Sequence, residues 1–328
     1  MKIAQVAPLF ESVPPKFYAG SERVISYLTE ELVKMDHDVT LFASGDSVTS
    51  ASLVPVVSKA LRQDESVDPL TCHVRLLDEV ASRAQDFDVV HYHTDNLHYP
   101  ISRQLGTAQL TTLHGCLDTP GLNDLYREYN DMPVITVSYD QRASLPSANW
   151  LSTVYCGVPQ KNYTFRAETG SYLAYLGDIS AHRGIESAIE IAIRCGLTLK
   201  VAGKVDREYI AGSNKTLFDH PLIELIGAID ASATDDFLGD ACALLFPVDT
   251  PELSGLAMIE AMACGTPVIA YRRGPVMEII THGKTGFIVD DIDGAIAVIK
   301  DIASFSRHRC RRIYESRFSA QRMAQDYV

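Results

Sequence analysis

Short apolar segments alternate with amphipathic ones along this chain, and the alternation starts afresh near its middle. In the first half, residues 2–9 (KIAQVAPL) and 37–45 (HDVTLFASG) have the composition of buried strands, and residues 21–34 have helical periodicity. The pattern restarts at 171–179 (SYLAYLGDI), and an amphipathic helix is predicted at 184–196. Because strands that alternate with helices form parallel sheets covered on both faces, the sequence predicts an α/β fold with two doubly wound domains.

The break between the domains is predicted where the periodicity is lost. Gly157 and Pro159 interrupt the chain after a last strand of the first half. Ligands of doubly wound sheets bind at the carboxyl ends of strands, so we expect the site in the cleft between the domains. The predicted divisions are a Rossmann-like N-terminal domain over 1–158, a Rossmann-like C-terminal domain over 159–308, and a helical tail over 309–328 that packs back toward the N-terminal domain.

Charge and cysteine usage exclude several classes of protein. The chain has 29 Lys and Arg against 42 Asp and Glu, a net charge of −13, which argues against binding to nucleic acid or to anionic lipid. Its seven cysteines are scattered without a CxxC pair, as in a cytoplasmic protein with reduced thiols. No apolar stretch reaches the roughly 18 residues of a membrane span, and the first residues predict a strand rather than a signal peptide.

Residues 251–270 (PELSGLAMIEAMACGTPVIA) place two glutamates around a predicted helix start. The helix is expected to begin near Gly255 or Leu256, where free amides and the helix dipole favour an anion. Glu252 lies before this start and Glu260 lies within the helix, and a carboxylate can accept hydrogen bonds from two neighbouring sugar hydroxyls. On spacing alone, a solvated loop acid and a surface helix acid are the simpler interpretation.

The wider sequence resembles the family 4 retaining glycosyltransferases of the GT-B fold, in which two Rossmann-like domains face each other across a cleft. That family has an E-x7-E element that runs into E-A-M-A-x-G-x-P-V-I-A, and here residues 260–270 read EAMACGTPVIA. Residues 278–289 (EIITHGKTGFIV) match its next conserved segment. Further similar segments are FYAGSERVISYLTEEL at 17–32, TLHG at 112–115, GDISAHRGIESAIEIA at 177–192, LKVAGK at 199–204 and IELIGAI at 223–229.

The resemblance implies roles for the residues around the predicted helix start. Glu260 would bind the ribose hydroxyls of the donor nucleotide, and Glu252 would bind hydroxyls of the donor sugar as a catalytic residue. The amides of Gly255 and Leu256 would contact the distal phosphate or the sugar. In the first half, Gly20 would let a loop approach that phosphate, which a side chain would hinder.

The resemblance implies four further residues on the donor side, and the position of Lys204 suggests a fifth. His114 would be catalytic, contacting the sugar or the phosphate and steadying the leaving group. Arg183 occupies the position of the family's phosphate-binding Lys, and the base would lie near Gly227 and Ile229. Lys204 follows a predicted strand and either reaches the donor or is solvated.

His93 and Asp95 are candidates on the acceptor side, at the predicted end of a strand. They either contact the acceptor or make structural hydrogen bonds. The Asp-x-Asp stretches at 86–88 and 291–293 are interpreted as solvated acids rather than metal ligands, and the resembled fold typically works without a metal. Residues 91–98 (HYHTDNLH) lack a partner cluster with ligand spacing, so zinc is not expected. We therefore expect no metal and no other cofactor.

Two positions depart from the family pattern. Asp178 stands where the family has an Arg, and Leu253-Ser254 replaces a usual Pro-Phe. The identity of the donor sugar is therefore open. We expect Asp178 either to turn away from the donor phosphates or to pair with Arg183, since a carboxylate facing a phosphate is repelled.

Taken with the resemblance, the sequence predicts a metal-independent retaining hexosyl- or pentosyltransferase. It would move a sugar from a nucleotide-sugar, UDP-linked by preference, to a small soluble carbohydrate or secondary-metabolite acceptor. Two alternatives remain. A sugar-nucleotide epimerase would convert the donor with no acceptor present, whereas a non-catalytic binder, suggested by Asp178, would hold UDP without transfer or hydrolysis.

Overall fold

The computed structural model describes residues 1–16, 20–64, 66–180, 183–212, 215–249 and 254–328, and it divides into two compact units. The first comprises Met1–Cys156 and Met323–Val328, and the second comprises Gly157–Arg322. Each unit contains one parallel sheet, so the predicted pair of doubly wound α/β domains is confirmed. Within the described ranges, no helix combines the length and the apolarity needed to cross a membrane.

The first unit is built on seven strands: β1 (Lys2–Val6), β2 (Asp38–Ser44), β3 (Ser52–Val57), β4 (Val89–Tyr92), β5 (Gln109–Leu113), β6 (Pro133–Thr136) and β7 (Asn149–Thr153). Their order in the sheet is β3-β2-β1-β4-β5-β6-β7, and all neighbours are parallel. After Lys2, every residue of β1 is buried, as expected for a central strand with both sheet faces covered.

The second unit has six strands: β8 (Tyr172–Leu176), β9 (Leu199–Ala202), β10 (Ile223–Gly227), β11 (Ala241–Phe246), β12 (Val268–Tyr271) and β13 (Gly286–Val289). Their order is β10-β9-β8-β11-β12-β13, again with parallel neighbours. The central strands β8, β11 and β12 are buried throughout. In both sheets the order reverses between two central strands, which is where ligands of this fold class bind.

Helices connect the strands. They are α1 (Gly20–Lys34), α2 (Pro69–Arg83), α3 (Tyr99–Ser102), α4 (Leu122–Glu128), α5 (Tyr139–Arg142), α6 (Ile185–Cys195), α7 (Arg207–Ala211), α8 (Lys215–Phe218), α9 (Ala231–Gly239), α10 (Leu256–Cys264), α11 (Val276–Ile279), α12 (Ile292–Ile299), α13 (Arg307–Arg317) and α14 (Ala320–Tyr327). The predicted α6 is confirmed, and left-handed glycines at 184 and 196, with φ of 76° and 67°, bound it at both ends.

One buried cation fixes the start of α13. The Arg307 side chain is 3% exposed. Its guanidinium donates to the carbonyl oxygens of Arg166 (2.7 Å), Gly239 (2.8 Å) and Ala241 (2.8 Å), and to the Thr266 hydroxyl (2.7 Å). These bonds satisfy the buried guanidinium and connect α13 to the end of α9 and the start of β11.

Candidate active site

Helix α10 begins where the sequence predicts, because Gly255 adopts a left-handed conformation with a φ of 60°. This φ favours a glycine, whereas an added Cβ would meet only the movable side-chain ends Ile279 Cδ1 (2.2 Å) and Met258 Cε (2.7 Å). The Gly255 carbonyl accepts hydrogen bonds from the amides of Met258 and Ile259. The preceding amides of Leu256 and Ala257 have no acceptor within the helix and are the groups that an anion could bind.

Glu260 lies one turn into α10 and has no solvent-exposed surface. The Tyr163 hydroxyl donates a hydrogen bond of 2.6 Å to its Oε1. The interpretation of Glu260 as a surface acid is therefore wrong. Because the carboxylate is closed to solvent, a ribose reaches it only if neighbouring groups move.

The carboxyl edge of the second sheet is lined by three glycines. Gly177 follows β8, Gly203 follows β9, and Gly227 ends β10; we call this row the glycine edge. Gly203 has a φ of 153°, and an added Cβ would lie 1.7 Å from the Gly177 carbonyl oxygen. Its amide donates to the Gly227 carbonyl at 2.9 Å. Neighbouring backbones thus meet directly at this edge. Ile229, two residues beyond β10, is buried beside it.

The loop after β8 lies along the same edge. The Tyr175 hydroxyl is 2.9 Å from the Arg183 carbonyl oxygen and 3.1 Å from that of Asp178. An added Cβ at Gly184 would lie 2.0 Å from the Pro247 carbonyl oxygen, just after β11. This backbone contact holds Arg183, the adjacent residue, near the point where β8 and β11 meet.

Asp178 and Lys204 both expose their side chains on this edge. Among the described residues, the Asp178 carboxylate has neither a hydrogen-bond partner nor a cation partner. Of the two arrangements expected for Asp178, the pairing with Arg183 is therefore not found among the described residues. Lys204 follows Gly203, and its carbonyl accepts a 2.9 Å hydrogen bond from Ile179. Glu252 lies outside the described residues.

Gly20 is the first residue of α1 in the other unit. An added Cβ there would meet no atom within 4 Å, so internal packing does not require a glycine at this position. A requirement for glycine would then come from a ligand, which is the role that the resemblance implies.

Two predicted site residues meet at the carboxyl edge of the first sheet. His93 Nδ1 lies 2.9 Å from His114 Nε2, and His93 Nε2 lies 2.8 Å from Gln5 Oε1. His93 is 2% exposed, and both of its ring nitrogens are engaged within the protein. Of the two roles left open for His93, this geometry favours structural hydrogen bonding. Sequence reasoning missed Gln5, although an amide inside the apolar strand KIAQV was a visible signal.

Burial lowers the basicity of these histidines. Desolvation lowers the pKa of His91 to about 3 and that of His114 to about 4, and it lowers the pKa of His93 well below 6.5. The rings are therefore neutral at pH 7. Neutral imidazole can accept a hydrogen bond as well as donate one, which suits it to hydroxyl groups.

Asp95 follows β4 in a left-handed conformation with a φ of 48°. The residue as a whole is solvent-exposed, but protein atoms crowd its carboxyl group. This desolvation raises the pKa of Asp95 to about 6, and a backbone hydrogen bond from His114 opposes the rise. A carboxyl group with a pKa near neutrality beside His114 is typical of functional sites, although structural networks also produce such shifts.

The two Asp-x-Asp stretches have structural partners. Asp88 accepts a 2.7 Å hydrogen bond from the Lys2 amide, and Asp291 caps α12 by accepting a 2.8 Å bond from Gly294. Asp293 forms an ion pair with Arg194 at 2.5 Å. In the parts of the chain that the structure describes, no three His, Cys, Asp or Glu side chains are grouped so as to hold a metal ion.

Two family models match successive parts of the chain. The model described as Glycosyltransferase Family 4 matches residues 18–158, and the model described as Glycosyl transferases group 1 matches residues 160–318. The chain belongs to glycosyltransferase family 4. This glycosyltransferase is 26% identical to N-acetyl-alpha-D-glucosaminyl L-malate synthase of Bacillus anthracis over 296 residues, which cover 76% of this chain and 75% of that relative.

Solved glycosyltransferase structures share its fold. Sucrose-phosphate synthase from Thermosynechococcus elongatus superposes with a TM-score of 0.83 at 17% identity, covering 99% of this chain and 97% of that one. Anabaena HepE, solved in complex with UDP and glucose, gives a TM-score of 0.76 at 17% identity, covering 100% of this chain and 98% of that one. These similarities confirm the predicted GT-B fold class.

Proposed function

We propose that this family 4 glycosyltransferase is a retaining, metal-independent enzyme. It moves a sugar from a UDP-sugar to a small soluble carbohydrate or secondary-metabolite acceptor. The observation that carries the proposal is the construction of α10, which begins with two available amides and holds Glu260 one turn further on. The amides at the helix start would bind the diphosphate of a nucleotide, and the Glu260 carboxylate would bind its ribose. The UDP bound in HepE supports the choice of nucleotide.

The remaining donor contacts follow from the sheet edge. We place the planar base at the Gly227 end of the glycine edge, where an added Cβ would meet no atom within 4 Å, with the apolar Ile229 two residues further on. Arg183 and Lys204 supply positive charge for the phosphates, which removes the need for a metal. In this scheme His114 and Glu252 contact the donor sugar.

Retention needs no protein nucleophile in this scheme. The bond between the anomeric carbon and the phosphate oxygen breaks while the acceptor hydroxyl attacks from the same face. The departing phosphate oxygen takes the proton of that hydroxyl, so the products are UDP and the glycoside with its anomeric configuration kept. The enzyme contributes positioning and stabilisation of the leaving group.

A panel of UDP-sugars, with and without candidate acceptors, tests the proposal. Free UDP measures turnover, and proton NMR of the product gives its anomeric configuration. We expect retention, and we expect activity to survive EDTA. Loss of activity in EDTA that Mg²⁺ or Mn²⁺ restores would refute metal independence. Conversion of the donor with no acceptor present would identify an epimerase instead.

The nucleotide site is tested by calorimetry with UDP. Glu260→Ala should weaken UDP binding by about 1.5–3 kcal/mol, the scale of hydrogen bonds to a charged group. Glu224→Ala, at an exposed glutamate on β10, is the matched control. Unchanged affinity in a folded Glu260→Ala variant would place the ribose elsewhere.

Asp178 supports one second candidate, a nucleotide-sugar binder without activity. Its exposed carboxylate has no partner among the described residues. At about 4 Å from a phosphate oxygen and an effective dielectric near 20, repulsion would reach roughly 4 kcal/mol. UDP binding without turnover on any donor, together with tighter UDP binding by Asp178→Arg, would favour this candidate over the transferase.

A further inference from the structure

A continuous chain of hydrogen bonds crosses the first sheet and ends at His114. It passes through six side chains on β1, on β4 and β5 or just beyond their ends, and at the end of α14. Gln5, His91, His93 and Thr112 are buried, whereas His114 and Tyr327 are partly exposed. The contacts are Tyr327 hydroxyl to Thr112 Oγ1 (2.9 Å), Thr112 Oγ1 to His91 Nε2 (2.8 Å), His91 Nδ1 to Gln5 Nε2 (3.3 Å), Gln5 Oε1 to His93 Nε2 (2.8 Å) and His93 Nδ1 to His114 Nε2 (2.9 Å).

Gln5 gives this chain a direction. Its amide oxygen only accepts and its amide nitrogen only donates. Because Gln5 Oε1 faces His93 Nε2, that nitrogen carries the proton. The Nδ1 of the neutral His93 ring is then unprotonated. His114 must donate from Nε2 to this Nδ1, which leaves its own Nδ1 bare. On the other side, Gln5 Nε2 donates to His91 Nδ1, so His91 also carries its proton on Nε2.

Burial makes this arrangement rigid. Gln5 has no exposed surface, and His91 and His93 are 3% and 2% exposed. Rotating the Gln5 amide by half a turn would require all three rings to exchange their protonated nitrogens together. A proton on the other nitrogen of only one ring would leave a buried donor or acceptor without a hydrogen-bond partner, which would destabilise the folded protein.

We propose that Gln5 is a positioning residue of this transferase, which fixes the tautomer of His93 and, through it, the tautomer of His114. His114 then has its proton held on Nε2 and offers Nδ1 only as an acceptor. Such a nitrogen can accept a hydrogen bond from a hydroxyl group but cannot donate one to a phosphate oxygen. The tautomer assignment follows from the orientation of the Gln5 amide, in which Oε1 faces His93 and Nε2 faces His91, whereas its effect on catalysis rests on the proposed function.

The tautomers can be measured without substrate, by NMR of protein labelled with ¹⁵N-histidine. Protonated and bare ring nitrogens have widely separated shifts. We expect Nε2–H for His91, His93 and His114. His73 provides an internal reference, since its Nδ1 lies 2.7 Å from the Pro69 carbonyl and its Nε2 accepts from the Leu9 amide, which requires Nδ1–H. An Nδ1–H tautomer at His114 would overturn the proposal.

Variants test whether Gln5 sets this state. Gln5→Met keeps the length of the side chain and removes both polar atoms, so the His114 ring should become a mixture of tautomers. Tyr327→Phe removes only the hydroxyl at the far end and should leave the His114 tautomer unchanged. The same single tautomer of His114 in Gln5→Met as in wild type would contradict the proposal.

A second pair of variants keeps the test decisive where Gln5→Met does not fold. His93→Asn places an accepting Oδ1 near the former position of His93 Nδ1, so His114 should keep its Nε2–H tautomer. His93→Leu removes this acceptor, so His114 should become a mixture of tautomers. In turnover with a UDP-sugar, kcat of the Gln5→Met and His93→Leu variants should fall roughly tenfold to a hundredfold, the cost of a misplaced group, with the Kd for UDP unchanged.

The two hypotheses fail separately. Absence of turnover by the wild-type protein would count against the transferase reaction, while the NMR tautomers would still decide the role of Gln5. A mixed His114 tautomer in Gln5→Met with an unchanged kcat would overturn the positioning role and leave the transferase intact.

Discussion

The buried histidines predict a specific loss of stability in acid. His91 and His114 have pKa values of about 3 and 4 in the folded protein, and His93 is also lowered well below 6.5. Between about pH 4.5 and 5.5 the rings of His91 and His114 are largely neutral in the folded protein and largely protonated in the unfolded chain. The unfolded chain then binds more protons, so the free energy of unfolding rises with pH. This contribution is complete above pH 6.5 and is lost as the pH falls toward the folded-state values.

The magnitude follows from proton counting. One additional proton bound by the unfolded state changes the free energy of unfolding by about 1.4 kcal/mol per pH unit. His91 and His114 together contribute roughly 3 kcal/mol per pH unit in this window, and the lowered pKa of His93 acts in the same direction. His91→Gln removes one of them, so the variant should lose about 1.4 kcal/mol per pH unit of this slope, whatever its stability at neutral pH.

The assay can be confined to the unit that holds these residues. Trp150 is the single tryptophan of the chain and lies on β7 of the first unit, so its fluorescence follows the unfolding of that unit in urea. Titrations at half-unit steps from pH 4.5 to 7 give the slope. His220→Gln, in the second unit, is the control. Equal slopes for His91→Gln and wild type would show that His91 is not held neutral by the fold.

Three further outcomes are expected. Asp95→Asn should change the pH slope of the free energy of unfolding in the opposite direction to His91→Gln, because a carboxyl pKa raised from 3.8 to about 6 costs stability above pH 6 and none below pH 4. In the same urea assay, the stability of Asp95→Asn relative to wild type should therefore increase between pH 4 and 6. Arg307→Met should lower the free energy of unfolding by roughly 3–6 kcal/mol, since it removes several charge-assisted hydrogen bonds; circular dichroism in urea measures this loss against exposed Arg309→Met, and equal losses would contradict it. Tyr163→Phe should tighten UDP binding by about 1.4 kcal/mol, or tenfold, if its hydroxyl competes with ribose for Glu260; calorimetry showing no change would mean that the two do not compete.

The architecture was predictable because its signals are local. Continuous apolar runs predicted the strands at 2–9, 37–45 and 171–179, helical periodicity predicted α1 and α6, and Gly255 marked the start of α10. The edge strand β3 was not predicted. Its sequence, SLVPVV, contains Pro55, and a proline argues against a central strand while remaining compatible with an edge strand, which is where β3 lies.

The burial of Glu260 was predictable in part. Apart from Glu260 itself, the α10 sequence LAMIEAMAC has no charged residue on any face, and a helix that is apolar all round is buried. That pattern already argued against a surface acid. The partner, Tyr163, was not predictable, because it lies 97 positions away in a stretch without periodicity. Long-range pairs of this kind depend on tertiary packing.

The same dependence on tertiary packing applies to a predicted site residue in each unit. Glu260 and His114 were found through family motifs, yet each is hydrogen-bonded to a residue that those motifs do not contain, Tyr163 in one unit and His93 in the other. Replacing a motif residue therefore leaves a buried partner unsatisfied, in addition to removing the proposed ligand contact. The loss measured for Glu260→Ala alone combines these two effects. The loss of UDP affinity caused by Glu260→Ala should therefore be measured a second time in a Tyr163→Phe background. The difference between the two losses is the interaction energy between residues 163 and 260, which separates the effect of their hydrogen bond from the effect of the ligand contact.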